Sequence, residues 1–139
     1  MDKALNYLSL ARKGGMAELG EEPVGAITRA GKGYLVLVAS DASDHTWRRA
    51  KSFVAGTEQQ CIRVKFTKDE VGCVIGRTSL AIAANTDVQL ALAMVNALGE
   101  PEKYKAAIEV LTQKSQKAKK RQAEAKAHKR NVRMGKVKK

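Results

Sequence analysis

The segment Tyr34-Leu35-Val36-Leu37-Val38-Ala39 limits the possible folds more than any other, because it is apolar at nearly every position. Successive residues of a strand point to opposite faces, so an uninterrupted apolar run suits a strand that is covered on both faces. A strand with one wet face would instead alternate apolar and polar residues. A chain built around this segment therefore needs helices on either side of it.

The flanking sequence supplies them. Leu5, Leu8 and Leu10 are spaced for one buried helical face, and Lys13-Gly14-Gly15 breaks that pattern. Met16 to Leu19 reads as a brief extended piece before Gly20-Glu21-Glu22-Pro23. Proline suits the first helical position because its missing N–H would have no partner there, and the acids before it suit the positive end of the helix dipole. This helix is expected to run through Arg29 and stop at Gly31 and Gly33. After the central strand, Ser40-Asp41-Ala42-Ser43-Asp44 offers caps for a helix from about His45 to Val54. Cys61 to Phe66 alternates as a second strand, and a short helix from Lys68 to about Val74 leads into the loop Ile75-Gly76-Arg77-Thr78-Ser79. Leu80 to Ala84 makes a third strand, and Thr86-Asp87 can cap a helix with Val88, Leu90, Leu92, Val95 and Leu98 at its apolar positions. Strands alternating with helices give an α/β fold, a three-layer α/β/α sandwich around a central mixed sheet.

Beyond Gly99 the pattern changes. Pro101 opens a stretch whose apolar residues, Ala107, Ile108 and Leu111, fade into Lys, Arg, Gln and Ala. The chain thus divides into a domain of residues 1–99 and a basic tail of residues 100–139, helical or disordered when free. The formal charge is +12, and residues 112–139 carry twelve basic side chains against the single acid Glu124. The rest of the chain is close to neutral, so residues 112–139 are expected to be removable without unfolding the domain. Lys117, Lys119, Lys120, Arg121, Lys129, Arg130 and Arg133 are candidate contacts to nucleic acid. Cations at this density gain affinity by releasing counterions from phosphates, without reading sequence. The competing reading is a solvated tail that only aids solubility, but blocks of like charge are commonly interaction arms. A membrane surface suits it less, since the tail has no Trp or Phe.

Several function classes find little support. Aromatic residues are only 4% of the chain, which argues against a platform of stacked bases. No apolar run is long enough for a membrane helix, and the N-terminus has no secretory pattern, so a cytoplasmic protein is expected. Cys61 and Cys73 are expected to stay reduced and to pack as small hydrophobes. Ser43 and His45 have no third orienting residue, and His45 and His128 have no cysteine pair to complete a zinc site. Gly31-Lys32-Gly33 precedes a strand, whereas a phosphate-cradling loop follows one. No catalytic residue, metal, cofactor or small-molecule substrate is expected, and the chain is expected to be a monomer. The Gly20 turn keeps a second reading beside helix initiation. A glycine turn that opens a helix presents unpaired N–H groups, and the loop at Gly76 to Ser79 would meet the same sheet end if both lie where strands pass into helices.

The order of several segments carries a resemblance. They are Leu8-Ser9-Leu10-Ala11-Arg12-Lys13, Gly20-Glu21-Glu22, Leu35-Val36-Leu37-Val38-Ala39-Ser40-Asp41-Ala42-Ser43-Asp44-His45-Thr46, Val71-Gly72, Ile75-Gly76 and Asn85-Thr86-Asp87. From about Leu5 to Leu98 the chain resembles the kink-turn RNA-binding ribosomal protein family of the archaeal large-subunit seven-Ae type, and above all its small bacterial homologues. The resemblance implies an α/β/α sandwich that binds sharply bent RNA. It implies that the helix after Gly20 enters the RNA groove near sheared G·A pairs, and that the loop Ile75 to Ser79 covers a flipped-out nucleotide. Archaeal members carry Asn-Glu where this chain has Glu22-Pro23, and a lysine where it has Ala26. Arg29, Lys32 and Arg77 are candidates to replace the missing charge.

The candidate RNA-binding set is therefore Gly20, Glu21, Glu22, Arg29, Lys32, Ile75, Gly76, Arg77, Thr78 and Ser79, with the tail cations beside it. The function expected is non-catalytic binding of structured, kink-turn-like ribosomal or translation-related RNA. The alternative is a structural interaction protein whose basic tail docks on DNA or acidic partners.

Overall fold

β2 (Leu35–Val38) is buried at all four positions and lies inside a four-stranded sheet. The computed structural model describes the backbone of residues 2–133 and the side chains of residues 2–127. The sheet order is β1-β4-β2-β3, with β1 at Ala17–Leu19, β3 at Gln60–Arg63 and β4 at Ile82–Asn85. β4 runs antiparallel to both of its neighbours, while β2 and β3 are parallel, so the sheet is mixed as expected. The parallel pair is joined by a helical crossover, α3 (Asp44–Val54), because parallel strands cannot be linked by a tight turn.

Helices cover both faces. α2 (Glu21–Arg29) packs on α3, and the two pack on the sheet. On the other side α1 (Lys3–Lys13) packs on α5 (Val88–Ala97), and α5 packs on α6 (Lys105–Arg133). α4 (Lys68–Cys73) is a single short segment closed by a capping box between Thr67 and Glu70. Leu37 and Ala39 face α1 and α5, where they line a small apolar cavity with Leu5, Leu8 and Met94.

The differences from expectation have local causes. The extended piece at Met16 to Leu19 is a true edge strand, paired through Ala17 to Asn85 and Leu19 to Ala83. A three-residue strand whose partner lies over sixty positions away leaves no periodic signal. Pro23 occupies the third helical position rather than the first, since Gly20 is the N-cap. It is tolerated there because first-turn N–H groups have no intrahelical acceptor. Leu10 does not join the face of α1 formed by Ala4, Leu5, Leu8 and Ala11; it is 46% exposed. α5 buries Val88, Ala91, Met94 and Val95, leaving Leu90 and Leu92 half-buried. Cys73 is exposed rather than packed, while Cys61 is half-buried.

α6 takes up most of the segment that the charge pattern sets apart. Residues 105–133 form one helix of 29 residues, about 43 Å long at 1.5 Å per residue. Its first half is part of the domain: Ala107, Leu111 and Ser115 are buried, as is Tyr104 just before it, and Ala118 packs against the core. The Ser115 hydroxyl donates to Gln89 Oε1 at 2.7 Å, and Gln89 Nε2 donates back to the Ser115 carbonyl at 3.3 Å. Removal of everything from residue 112 would therefore take part of the core packing with it. Ser115 is invisible in a hydrophobicity pattern because it is a polar residue satisfied by one specific partner.

Candidate functional site

One end of the sheet gathers the turns that the sequence marks as interesting. Val38 of β2 pairs with both Ile82 and Arg63, so β2 and β3 end where β4 begins. β1 ends there too, because the Gly20 N–H donates to the Ile82 carbonyl at 3.0 Å. The starts of α2, α3 and α4 and the loop 75–81 consequently share this end. The Gly20 turn and the Gly76–Ser79 loop therefore lie at the same end of the sheet.

The start of α2 differs from those of its neighbours. α1, α3, α4 and α5 are each capped by a side chain, from Asp2, Ser43, Thr67 and Asp87. α2 begins at Gly20, which has φ 98° and no side-chain cap. That backbone angle favours glycine over any residue with a Cβ. The first intrahelical bond runs from Val24 N to the Gly20 carbonyl, and Pro23 has no N–H. The N–H groups of Glu21 and Glu22 thus have no hydrogen-bond acceptor among the described residues. Unpaired N–H groups at the positive end of a helix are donors for anionic or carbonyl-type acceptors.

The two carboxylates beside those donors have different fates. Glu21 Oε1 lies 3.2 Å from Arg49 Nε, aligned as an ion pair rather than as a hydrogen bond. Arg49 also sits 5.4 Å above the Phe53 ring. Glu22 and Ala26 are exposed, one turn apart on the open face of α2. Gly25 lies on the opposite face, where a Cβ would come within 3.2 Å of Phe53, so it lets α3 approach α2 closely.

The loop is held by glycine chemistry of another kind. A Cβ on Gly72 would lie 2.6 Å from Ser79 Cα and 2.8 Å from Ser79 N. The Gly72 carbonyl accepts from both Ile75 N and Arg77 N, and Leu80 N donates to Lys68 O. Gly76, at φ 74°, turns the chain between these anchors. Gly76, Arg77, Thr78 and Ser79 are exposed, whereas the Ile75 side chain is 2% exposed and serves as the loop's core anchor. Ile75, expected among the RNA-binding residues, therefore cannot offer its side chain to a surface ligand. Asp41 completes the frame by accepting from Lys68 N at 2.8 Å.

The remaining candidates lie elsewhere. Arg29 is in the last turn of α2, and its guanidinium folds back beside Gly25. Lys32 is exposed in the turn before β2, at the other end of the sheet. Lys117, Lys119, Lys120 and Arg121 are exposed on α6, while the side chains of Lys129, Arg130 and Arg133 lie outside the described residues. Sequence reasoning missed Arg49 as the partner of Glu21, and it missed the closeness of Gly72 to Ser79. A glycine inside a short helical pattern was the only trace of the second. Ser43 is occupied as a cap, with its Oγ accepting from Thr46 N. Among the described residues, no three His, Cys, Asp or Glu side chains are grouped to hold a metal ion, and no helix is long and apolar enough to cross a membrane.

No protein-family model matches the chain. It is 35% identical over 75 residues to the RNA-binding protein YlxQ of Enterococcus faecium, a span covering 54% of this chain and 72% of that protein. Among solved structures, a protein of unknown function from Bacillus halodurans superposes with a TM-score of 0.67 at 23% identity, covering 72% of this chain and 100% of its own. The 15.5 kD RNA binding protein of Giardia lamblia superposes with a TM-score of 0.59 at 15% identity, over 77% of this chain and 85% of its own. At these identities the two structures speak to the fold alone.

Proposed function

The chain belongs to the family of the RNA-binding protein YlxQ, and from that premise we propose that it is a non-catalytic RNA-binding protein for sharply bent, kink-turn-like RNA of ribosomal or translation-related origin. The observation that carries the reading is the uncapped start of α2 beside the Gly76–Ser79 loop at one end of the sheet. The free N–H groups of Glu21 and Glu22 would donate to phosphate or base acceptors. The close glycine backbone at Gly20 and Gly76 would let RNA approach without a side chain in the way. Arg77, Thr78 and Ser79 would cover an unstacked nucleotide, with Arg77 supplying charge. Recognition of an irregular, splayed-out segment suits the way proteins read RNA, since the deep major groove of a regular RNA duplex is closed to side chains.

The polar groups that could suggest chemistry have structural occupations: Ser43 caps α3 and Glu21 pairs with Arg49. The exposed cations of α6 would add phosphate affinity that is indifferent to sequence. Titration of the full chain against a kink-turn RNA and a straight duplex of equal length tests the reading, with Gly20→Val as control. A preference for the bent RNA that Gly20→Val abolishes is the expected result. Equal affinity for both RNAs, unchanged in the variant, would refute it.

A further inference from the structure

α6 has a polarity that places most of its cations far from the Gly20 turn. It enters at the site end of the sheet, where the Tyr104 hydroxyl donates to the Arg63 carbonyl at the end of β3. It leaves at the opposite end, where Lys114 Nζ lies 2.6 Å from Glu58 Oε2, just before β3 begins. Ser115 is fixed there as well, to Gln89 near the start of α5. Apart from Lys105 at its first position, the helix therefore crosses the length of the sheet before its exposed cations begin. Beyond Ala118 it continues to Arg133, about 22 Å further at 1.5 Å per residue.

The domain contributes to this far pole. Gly31, Tyr34, Thr57, Glu58 and Lys114 line one groove, and Lys32 is exposed beside it. Glu58 is the acid among these cations. Its carboxyl is held below the usual range first by the hydrogen bond from Lys114, then by the charges of Lys114 and Lys117. Lys117, one turn on from Lys114 along α6, joins the groove to the cationic helix. Residues 105–139 contain no Phe, Tyr or Trp. The cationic helix has phosphate-binding charge but nothing on which an unpaired base can stack, and the Tyr34 ring of the groove is half-buried, which suits a double helix better than a single strand.

We propose that Lys32, Lys114 and Lys117, together with the exposed cations of α6, form a second RNA surface that takes the phosphate backbone of a straight duplex. The protein would then hold two RNA segments at opposite ends of its sheet. The inference rests on the reading of the chain as an RNA-binding protein, but on a different pole of it. RNA seated on the Gly20 turn would have to pass the whole domain to touch α6 from Lys114 onward.

The test uses the full chain and a short straight RNA duplex, alone and with the protein already saturated by bent RNA. The triple variant Lys117→Gln, Lys120→Gln, Arg121→Gln is expected to weaken duplex binding by about tenfold or more, and to flatten the log–log salt dependence by about 2–3. Lys32→Gln weakens it by about threefold, and Glu58→Gln strengthens it by about twofold to fivefold, because a repelling carboxylate is removed and Lys114 is freed. Protein saturated with bent RNA should still capture the duplex. Displacement of the duplex one for one by bent RNA would overturn the proposal, and so would duplex binding indifferent to the triple variant. A DNA duplex bound more than about tenfold tighter than the RNA would assign this pole to DNA and overturn it too. Loss of bent-RNA preference is read separately through Gly20→Val. The turn surface can therefore fail while the far pole stands on its own variants.

Discussion

Ser79 backbone atoms stand where a side chain on residue 72 would go, so Gly72 fixes the loop rather than the helix that contains it. Gly72→Ala must displace the 76–79 segment, at a cost of about 1–3 kcal/mol for forcing a methyl group into a filled space. Gly76→Ala meets no neighbour within 4 Å and costs only the strain of its positive φ, about 1–2 kcal/mol. Urea melts should rank the two variants in that order, and only Gly72→Ala should also weaken the preference for bent RNA. Equal effects on that preference would mean that loop position does not matter. The two thiols diverge as well. Burial pushes Cys61 up from 9.0 to about 12 against the opposing charge of Lys51. The unfolded chain releases this proton near pH 9 while the folded chain keeps it, so the contribution is fully present below pH 9 and falls as pH rises toward 12. The stability difference between wild type and Cys61→Ser should shrink between pH 8 and 10. At pH 8 a thiol reagent should label the exposed Cys73 and spare Cys61 until the chain unfolds.

At the scale of elements, α2 shows how far a sequence pattern reaches. Its position and its end were legible, because Gly20 and Gly31 bracket it and their positive φ angles favour glycine. The pairing of Glu21 with Arg49 was not, since it spans 28 positions and depends on how α3 lies across α2. β1 was legible as a brief extended piece but not as a paired strand, because its stability comes from pairing with β4. The exposed face of α2 carries the test of specificity. Glu22 places a carboxylate beside the free N–H groups, where it can accept but not donate and where it repels phosphate. Ala26, one turn on, leaves the same face without a cation. Wild type is therefore expected to bind a standard kink-turn weakly. Glu22→Asn with Ala26→Lys should raise affinity for it relative to a straight duplex, by about 1–3 kcal/mol for each hydrogen bond or phosphate ion pair that the new side chains make. A double variant no better than wild type would mean that this face does not meet the RNA groove.

The whole molecule divides differently in structure than in charge. Composition changes near residue 112, but among the described residues packing ends near Ala118, because the helix that carries the cations first has to anchor itself on α5 and β3. A polar residue such as Ser115, satisfied by Gln89, and a tyrosine that bonds the end of an edge strand mark that anchorage, and neither has a periodic signature. Two truncations separate the boundaries. A chain ending at Leu111 loses the Ser115–Gln89 pair and frays the turn that buries Leu111, at about 2–4 kcal/mol, or a fall in Tm on the order of 10 °C. A chain ending at Ala118 keeps both and should melt within about 2 °C of the full chain. It should also lose most of the salt dependence of RNA binding, by about 0.7–0.9 in slope for each phosphate no longer neutralised. The preference for bent over straight RNA should survive in it, because backbone donors at the Gly20 turn act by shape and close approach. Calorimetry and titration at several salt concentrations on the two truncated chains decide the matter. If the chain ending at Ala118 loses its preference together with its slope, α6 is the recognition element, and the turn surface at the other end of the sheet has been assigned the wrong role.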